Sequence, residues 1–333
     1  MLILAKTALA MMLGFIFAII CGIICIPFLK KINFRQHVSE MVGERHLKKE
    51  GTPTMGGIIF IFPVIITLLL LYIRGSISLN HNLIIVVFVF LSYGLLGFID
   101  DWLKVRYHNN EGLRISTKFL LQMLIAIVFF YIFMKNGGEP VLEITSLGLV
   151  LPLGWTFGLF ILFLLVGSSN AVNLTDGLDG LDGLCGGLCV IAYLAFGILS
   201  WNATWMEGYQ EVAIFCFVLV GALLGFLLFN SHPAKVFMGD LGSLALGAAM
   251  ASIAIVTRHE LSLALIGGVF VVETLSSMIQ IIAIRKFHRK VFLMAPLHHH
   301  FEQLGWSEQD IVKAFYVVGL LLAMAAITYG VWL

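Results

Sequence analysis

The sequence predicts an all-α, polytopic integral membrane protein, and three observations predict it. Of 333 residues, 60% are apolar and only 12% charged, whereas soluble domains carry about 25% charged residues. Mean hydropathy is +1.01. Apolar stretches also recur along the whole chain, each near the roughly 20 residues that a helix needs to cross about 30 Å of hydrocarbon. None shows the period-two alternation of a transmembrane barrel. A chain this apolar cannot stay solvated as a disordered polymer. Lys plus Arg number 20 against 19 Asp plus Glu, a balance without a nucleic-acid signature, so the placement of the charges is what informs. The cysteine pairs Cys21/Cys25 and Cys185/Cys189 sit four apart inside apolar stretches. They read as small buried hydrophobes rather than as a metal or redox pair.

Ten apolar runs follow in order, the shorter ones helped by flanking residues that snorkel. The first, Leu4 to Phe28, lacks the polar segment and Ala-x-Ala site of a signal peptide, so it stays as a helix. Gly57 to Ile73 follows a glycine-rich approach, and Leu83 to Ile99 runs directly into adjacent carboxylates. Phe119 to Met134, Leu151 to Ser168, Leu184 to Leu199 and Val212 to Phe229 come next. Leu241 to Val256 begins one residue after Asp240. Leu261 to Ile284 carries Glu273 and Gln280 seven apart on one helix face, where polar groups so deep should line a cavity rather than face lipid. Ile311 to Leu333 is the last.

Ten helices place both termini on one side and divide the connections into odd and even loops. Of the 20 basic residues, Lys6, Arg74, Lys135 and Arg258 are the ones outside the odd loops and their edges. Lysine and arginine accumulate on the cytoplasmic side, so the odd loops should be cytoplasmic and both termini external. The chain shows no separate soluble stretch and reads as one transmembrane domain over 1–333. Most carboxylates and histidines gather in the same odd loops.

Five motifs stand out there. Asp100-Asp101-Trp102-Leu103-Lys104 puts two repelling carboxylates at the end of the third run, where they need a cation, a metal or a shared proton. Asp100 and Lys104 share a helix face, and Asp101 points to the neighbouring one. The plain alternative is a polar helix end with Trp102 as interfacial anchor. Asn170 to Gly183 contains Asn173, Asp176, Asp179 and Asp182 without Lys or Arg; its oxygens could hold a hard cation or bind hydroxyls, and Asp-Gly steps are also ordinary turns. Asn230 to Ser243 ends in Phe237-Met238-Gly239-Asp240. There Asp240 is either an N-cap or a ligand for a metal beside phosphate oxygens, and Phe237 is a membrane contact or a stacking face for a base. Lys49-Glu50-Gly51-Thr52-Pro53-Thr54 resembles a phosphate contact but lacks the full P-loop pattern. Ala295-Pro296-Leu297-His298-His299-His300-Phe301-Glu302 is internal. Consecutive histidines cannot all face one metal, so donation to phosphate or ribose oxygens suits them better than zinc chemistry.

With these motifs the chain resembles the polyprenyl-phosphate N-acetylhexosamine-1-phosphate transferase superfamily, and within it the bacterial phospho-N-acetylmuramoyl-pentapeptide transferases, over nearly its whole length. The resemblance implies an inner-membrane enzyme of peptidoglycan synthesis that transfers phospho-MurNAc-pentapeptide from UDP-MurNAc-pentapeptide to undecaprenyl phosphate with magnesium, giving lipid I and UMP. It implies catalytic roles for Asp100, Asp101, Asp240 and His298, with Asp240, Asp100 and Asp101 as magnesium ligands. It also implies substrate contacts from Lys49, Thr54, Lys104, Lys118, Asn173, Asp176, Asp179, Asn230, Phe237, Gln280, His299 and His300. The partners would be those two substrates and the lipid bilayer, without nucleic acid, and a homodimer is a candidate assembly. A transferase using UDP-GlcNAc would share the acidic motifs but not the Ala-Pro-Leu-His-His-His-Phe-Glu form. A cation-coupled transporter would want its carboxylates near the midplane in broken helices.

Overall fold

The computed structural model describes residues 3–32, 51–107, 111–144, 148–183, 185–187 and 209–332. Its helices are α1 (Ile3–Lys31), α2 (Ile58–Ile73), α3 (His81–Tyr107), α4 (Ile115–Lys135), α5 (Phe157–Thr175), α6 (Tyr209–Asn230), α7 (Gly239–Val256), α8 (Glu260–Ile266), α9 (Gly268–Phe287), α10 (Leu297–Gln303) and α11 (Glu308–Trp332). Eight of them, α1, α3, α4, α5, α6, α7, α9 and α11, are long and apolar enough to cross a membrane, and α2 is a shorter apolar helix. The chain is a multi-pass membrane protein. The sixth run, Leu184 to Leu199, falls largely outside the described residues.

The described residues are mostly helical, and one short hairpin departs from the all-α expectation. Val141–Ile144 (β1) pairs antiparallel with Leu149–Pro152 (β2), Val141 opposite Pro152 and Ile144 opposite Leu149. The run predicted from Leu151 therefore starts on a strand, passes a 3-10 turn at Gly154–Thr156, and becomes helical only at Phe157. A short apolar stretch of Val, Leu and Ile suits either state, so hydropathy cannot tell them apart. The run Leu261 to Ile284 is likewise two helices, broken where Gly267 ends α8 and precedes α9. Glycine inside a helix is destabilising, and here two stand together.

Helix α7 is the central element, buried at every residue from Asp240 to Val256. It packs on α3 and on α5, while α1 packs on α6 with α2 against both. Gly, Ala and Ser along α7 let neighbouring backbones approach closely, the usual way helices associate in lipid. At the tightest point, a Cβ on Gly97 of α3 would overlap the main-chain carbonyl of Asp240. The outer faces are the reverse: Ile115, Tyr131, Phe163, Ile282 and Leu321 are all exposed. In water so large an apolar surface would be a liability, and in a bilayer it is the lipid contact.

The described loop residues form polar contacts at two ends of the bundle. At one end Arg258 pairs with Glu139 at 2.7 Å, and Glu211 accepts 2.7 Å hydrogen bonds from Ser78 and Asn80. At the other, the described parts of the odd loops bond to one another. Gly56 and Gly57 donate their N–H groups to the carbonyls of Phe237 and Met238, and Phe237 donates to Pro53. Asp179 donates its N–H to Glu308 at 2.7 Å.

Candidate active site

The N-terminus of α7 organises the polar end. An α-helix leaves its first N–H groups without intrahelical partners, and the residue at the N-cap position, Met238, has no side chain to meet them. Carboxylates from distant elements do so instead: Gly239 N–H donates to Asp176 Oδ2 and Leu241 N–H to Asp101 Oδ2, both at 3.1 Å. Gly239 has φ +72°, and a Cβ there would lie 2.6 Å from Asp101 Oδ2 and 2.7 Å from Thr54 Oγ1, so this junction accepts only glycine. The N-cap alternative for Asp240 is thereby removed. Asp240 sits inside the first turn, and its carboxylate turns toward other helices.

Its partners come from three of them. Asp240 Oδ1 accepts from Asn173 Nδ2 of α5 at 2.8 Å and lies 3.0 Å from Lys104 Nζ of α3, while Oδ2 lies 2.8 Å from Lys118 Nζ of α4. Lys104 also pairs with Asp100 at 2.7 Å, one helical turn away, and Lys118 stands 3.9 Å from the same carboxylate. Two carboxylates and two ammonium groups thus form one alternating cluster. Asp100 Oδ1 accepts the Leu113 N–H at 2.8 Å, and Asp101, on the next face of α3, turns to α7. The donor set of Asp240 and Asp100 is all oxygen and anionic, which suits a hard cation such as magnesium. Lys104 and Lys118, shared between the two carboxylates, show where this site takes positive charge.

The carboxylates of Asp176, Asp179 and Asp182 do not close on a single point. Asp176 goes to Gly239, and burial together with the charges of Asp240 and Asp101 holds its carboxyl well above the usual range. Asp179 faces His232 Nδ1 at 3.2 Å and the Ala234 N–H at 3.0 Å, with Glu308 beside the same imidazole at 3.4 Å. This group ties the loops after α5 and α6 to the start of α11. Asp182 is buried with no hydrogen-bond partner for either oxygen among the described residues, and burial next to Asp176 and Glu273 raises its carboxyl strongly.

Several other predicted residues brace backbone. Asn230 bridges Gly180 N–H and the Val236 carbonyl at 3.0 Å each. Gln280 holds the N–H groups of Val291 and Phe292 and the Phe292 carbonyl. On α10 the three histidines diverge, as residues 100° apart on a helix must. His298 turns to Glu273, His299 to Glu302 at 2.6 Å, and His300 Nδ1 accepts the Leu293 N–H at 3.1 Å. Their Nδ1 atoms thus meet three different partners. Lys49 lies outside the described residues.

The chain is similar to known proteins along nearly its whole length. The family described as Glycosyl transferase family 4 matches residues 83–258, and the phospho-N-acetylmuramoyl-pentapeptide-transferase signature 1 matches residues 49–61. The phospho-N-acetylmuramoyl-pentapeptide-transferase of Geobacillus sp. (strain WCH70) is 47% identical over 325 residues, covering 98% of each chain. That of Bacillus subtilis (strain 168) is 46% identical over 322 residues and 97% of each. The chain belongs to the phospho-N-acetylmuramoyl-pentapeptide transferases. In this transferase the signature segment is the strip whose Pro53, Gly56 and Gly57 pair with Phe237 and Met238, just ahead of Asp240. Sequence reasoning missed Glu308 and His232 as partners of Asp179, and Glu273 as the partner of His298. Those pairs are 129, 53 and 25 residues apart, beyond the reach of any local spacing rule.

Proposed function

We propose that the transferase moves phospho-MurNAc-pentapeptide from UDP to undecaprenyl phosphate, releasing UMP and lipid I at the cytoplasmic face of the inner membrane. The observation that supports this best is the cluster of Lys104 and Lys118 with Asp240 and Asp100, in a chain 47% identical to relatives that bear this enzyme's name. In the reaction an oxygen of the lipid phosphate bonds to the sugar-bearing phosphorus, and the bond from that phosphorus to UMP breaks. Anionic oxygens crowd together, so alignment and charge neutralisation matter more than a strong nucleophile. Lys104 and Lys118 neutralise phosphate oxygens. Asn173 and Thr54 orient them, and Lys49 and His298 to His300 meet phosphate or sugar oxygens. Asp100 aligns the lipid phosphate or takes its proton. Asp176, Asp179, Asn230, Phe237 and Gln280 form or support the nucleoside side. Asp240, with Asp100 or Asp101, would hold magnesium, which when bound supplies positive charge at the pyrophosphate.

The test uses purified protein, magnesium and undecaprenyl phosphate with either UDP-MurNAc-pentapeptide or UDP-GlcNAc. UMP is expected from the first donor and not from the second. Release from UDP-GlcNAc alone would move the chain to another branch of the superfamily, and release from neither would defeat the reading.

The same proposal includes ten spans with both termini external, from the distribution of basic residues. In a cysteine-free background, an impermeant thiol reagent added to intact cells is expected to label Asn136→Cys, beside the β1–β2 hairpin, and not Glu111→Cys, near Asp100. Both positions are exposed. The reverse pattern would invert the topology.

A further inference from the structure

Glu273 of α9 is a buried carboxylate that none of the roles above uses. Its side chain is fully buried, yet both oxygens are engaged by one residue. Oε1 accepts the His298 backbone N–H at 3.0 Å, and Oε2 lies 2.9 Å from His298 Nδ1. A carboxylate oxygen accepts, so a proton on Nδ1 satisfies this contact and leaves Nε2 as the ring atom able to act elsewhere. His298 is 1% exposed, and its Nε2 has no hydrogen-bond partner among the described residues. That atom lies directly against Gly177, where a Cβ would overlap it. Gly177 follows Asp176, which holds the head of α7 next to Asp240. The backbone bond to Oε1 also fixes the first turn of α10, from which all three histidines project.

We infer that Glu273 is a positioning residue for the proposed transfer: it sets the tautomer and direction of His298, so that Nε2, the ring nitrogen without the proton, is presented at the Gly177 edge of the site to accept a hydrogen bond from a sugar or ribose hydroxyl of the nucleotide donor. The inference rests on the transferase reading for what Nε2 meets, but not for the Glu273–His298 geometry. A carboxylate behind an imidazole serves similarly where histidine must be held in one tautomer.

Two measurements test it. In the first, 15N-histidine NMR of the solubilised protein, with His298 assigned by loss of its signals in H298A, reads the tautomer without substrate. The wild type should carry a proton on Nδ1. In Glu273→Gln the amide oxygen can keep the backbone N–H while the amide nitrogen donates to Nδ1, which moves the proton to Nε2. The same Nδ1-protonated state in both proteins would overturn the inference. In the second, UMP release by Glu273→Ala should fall at least about tenfold in kcat, with KM for the UDP donor changed less than about threefold. Adding Glu273→Ala to His298→Ala should cost no more than about twofold beyond His298→Ala alone, because one residue acts through the other. A further tenfold loss in the double variant would make Glu273 an independent structural support, and wild-type kcat in both Glu273→Gln and Glu273→Ala would overturn the positioning role. A wild type that releases no UMP, with the tautomer result intact, would count against the transferase reading and leave the positioning of His298 standing.

Discussion

Asp240→Asn is expected to lower UMP release by about 100-fold or more while the protein stays folded. The substitution keeps the size of the side chain and removes the charge shared by Lys104 at 3.0 Å and Lys118 at 2.8 Å. Losing a preorganised charge in a site of this kind costs roughly 10²–10³ in turnover. Stability should change far less. The unpaired N–H groups at the head of α7 are met by Asp101 and Asp176, not by Asp240, so even the loss of about 1 kcal/mol typical of a missing cap is not expected. Asp100→Asn should show a similar loss of turnover, and raising magnesium should restore neither fully. The measurement is UMP release beside thermal unfolding in the same detergent. A folded Asp240→Asn protein with near wild-type turnover would return the metal site to Asp100, Asp101 or Asp176.

Gly97→Ala should be nearly as damaging although the residue carries no chemistry. The new Cβ would meet the carbonyl carbon and oxygen of Asp240 and, at 2.6 Å, the Leu241 nitrogen. These are main-chain atoms that cannot rotate away. Helices α3 and α7 must separate, carrying Asp100 and Lys104 away from Asp240. A misplacement of about 1 Å in such a site costs on the order of 10²-fold in rate, and overpacking of this kind costs about 1–3 kcal/mol of stability. Gly94→Ala, one turn earlier on α3, is the control. Its Cβ would meet the flexible tip of Ile61 at 3.3 Å and Ala245 Cβ at 3.6 Å, contacts that can yield. Equal behaviour of the two variants would show that the α3–α7 contact relaxes without moving the carboxylates.

Much of the site was legible as residue types. Asp100, Lys104 and Asp240 stood out because charged groups directly beside apolar runs are costly without partners, and one helical turn was enough to pair Asp100 with Lys104. The adjacent acids Asp100 and Asp101 could also be separated onto different faces by helix geometry alone. Their tasks could not be: one joins the lysine cluster, and the other holds the N-terminus of a helix 140 residues further on. The three aspartates at Asp176, Asp179 and Asp182 could suggest a single cation loop, but Asp176 goes to Gly239, Asp179 to His232 with Ala234, and Asp182 is buried without a hydrogen-bond partner among the described residues. The spacing of three does not say which element lies opposite each side chain.

The β1–β2 hairpin and the break at Gly267 were lost for a related reason. Hydropathy sums side-chain transfer free energies over a window and is nearly blind to backbone state, so strand and helix built from Val, Leu and Ile look alike. What the sequence by itself determined is whatever depends on local sums: a multi-pass membrane protein, the nine described apolar helices, and one end of the bundle rich in basic, acidic and histidine residues. The tertiary structure decided which of those polar groups meet. Burial inside lipid-facing helices leaves each one in need of a partner, and the close approach of α3, α5 and α7 through their small residues selects that partner from a distant part of the chain.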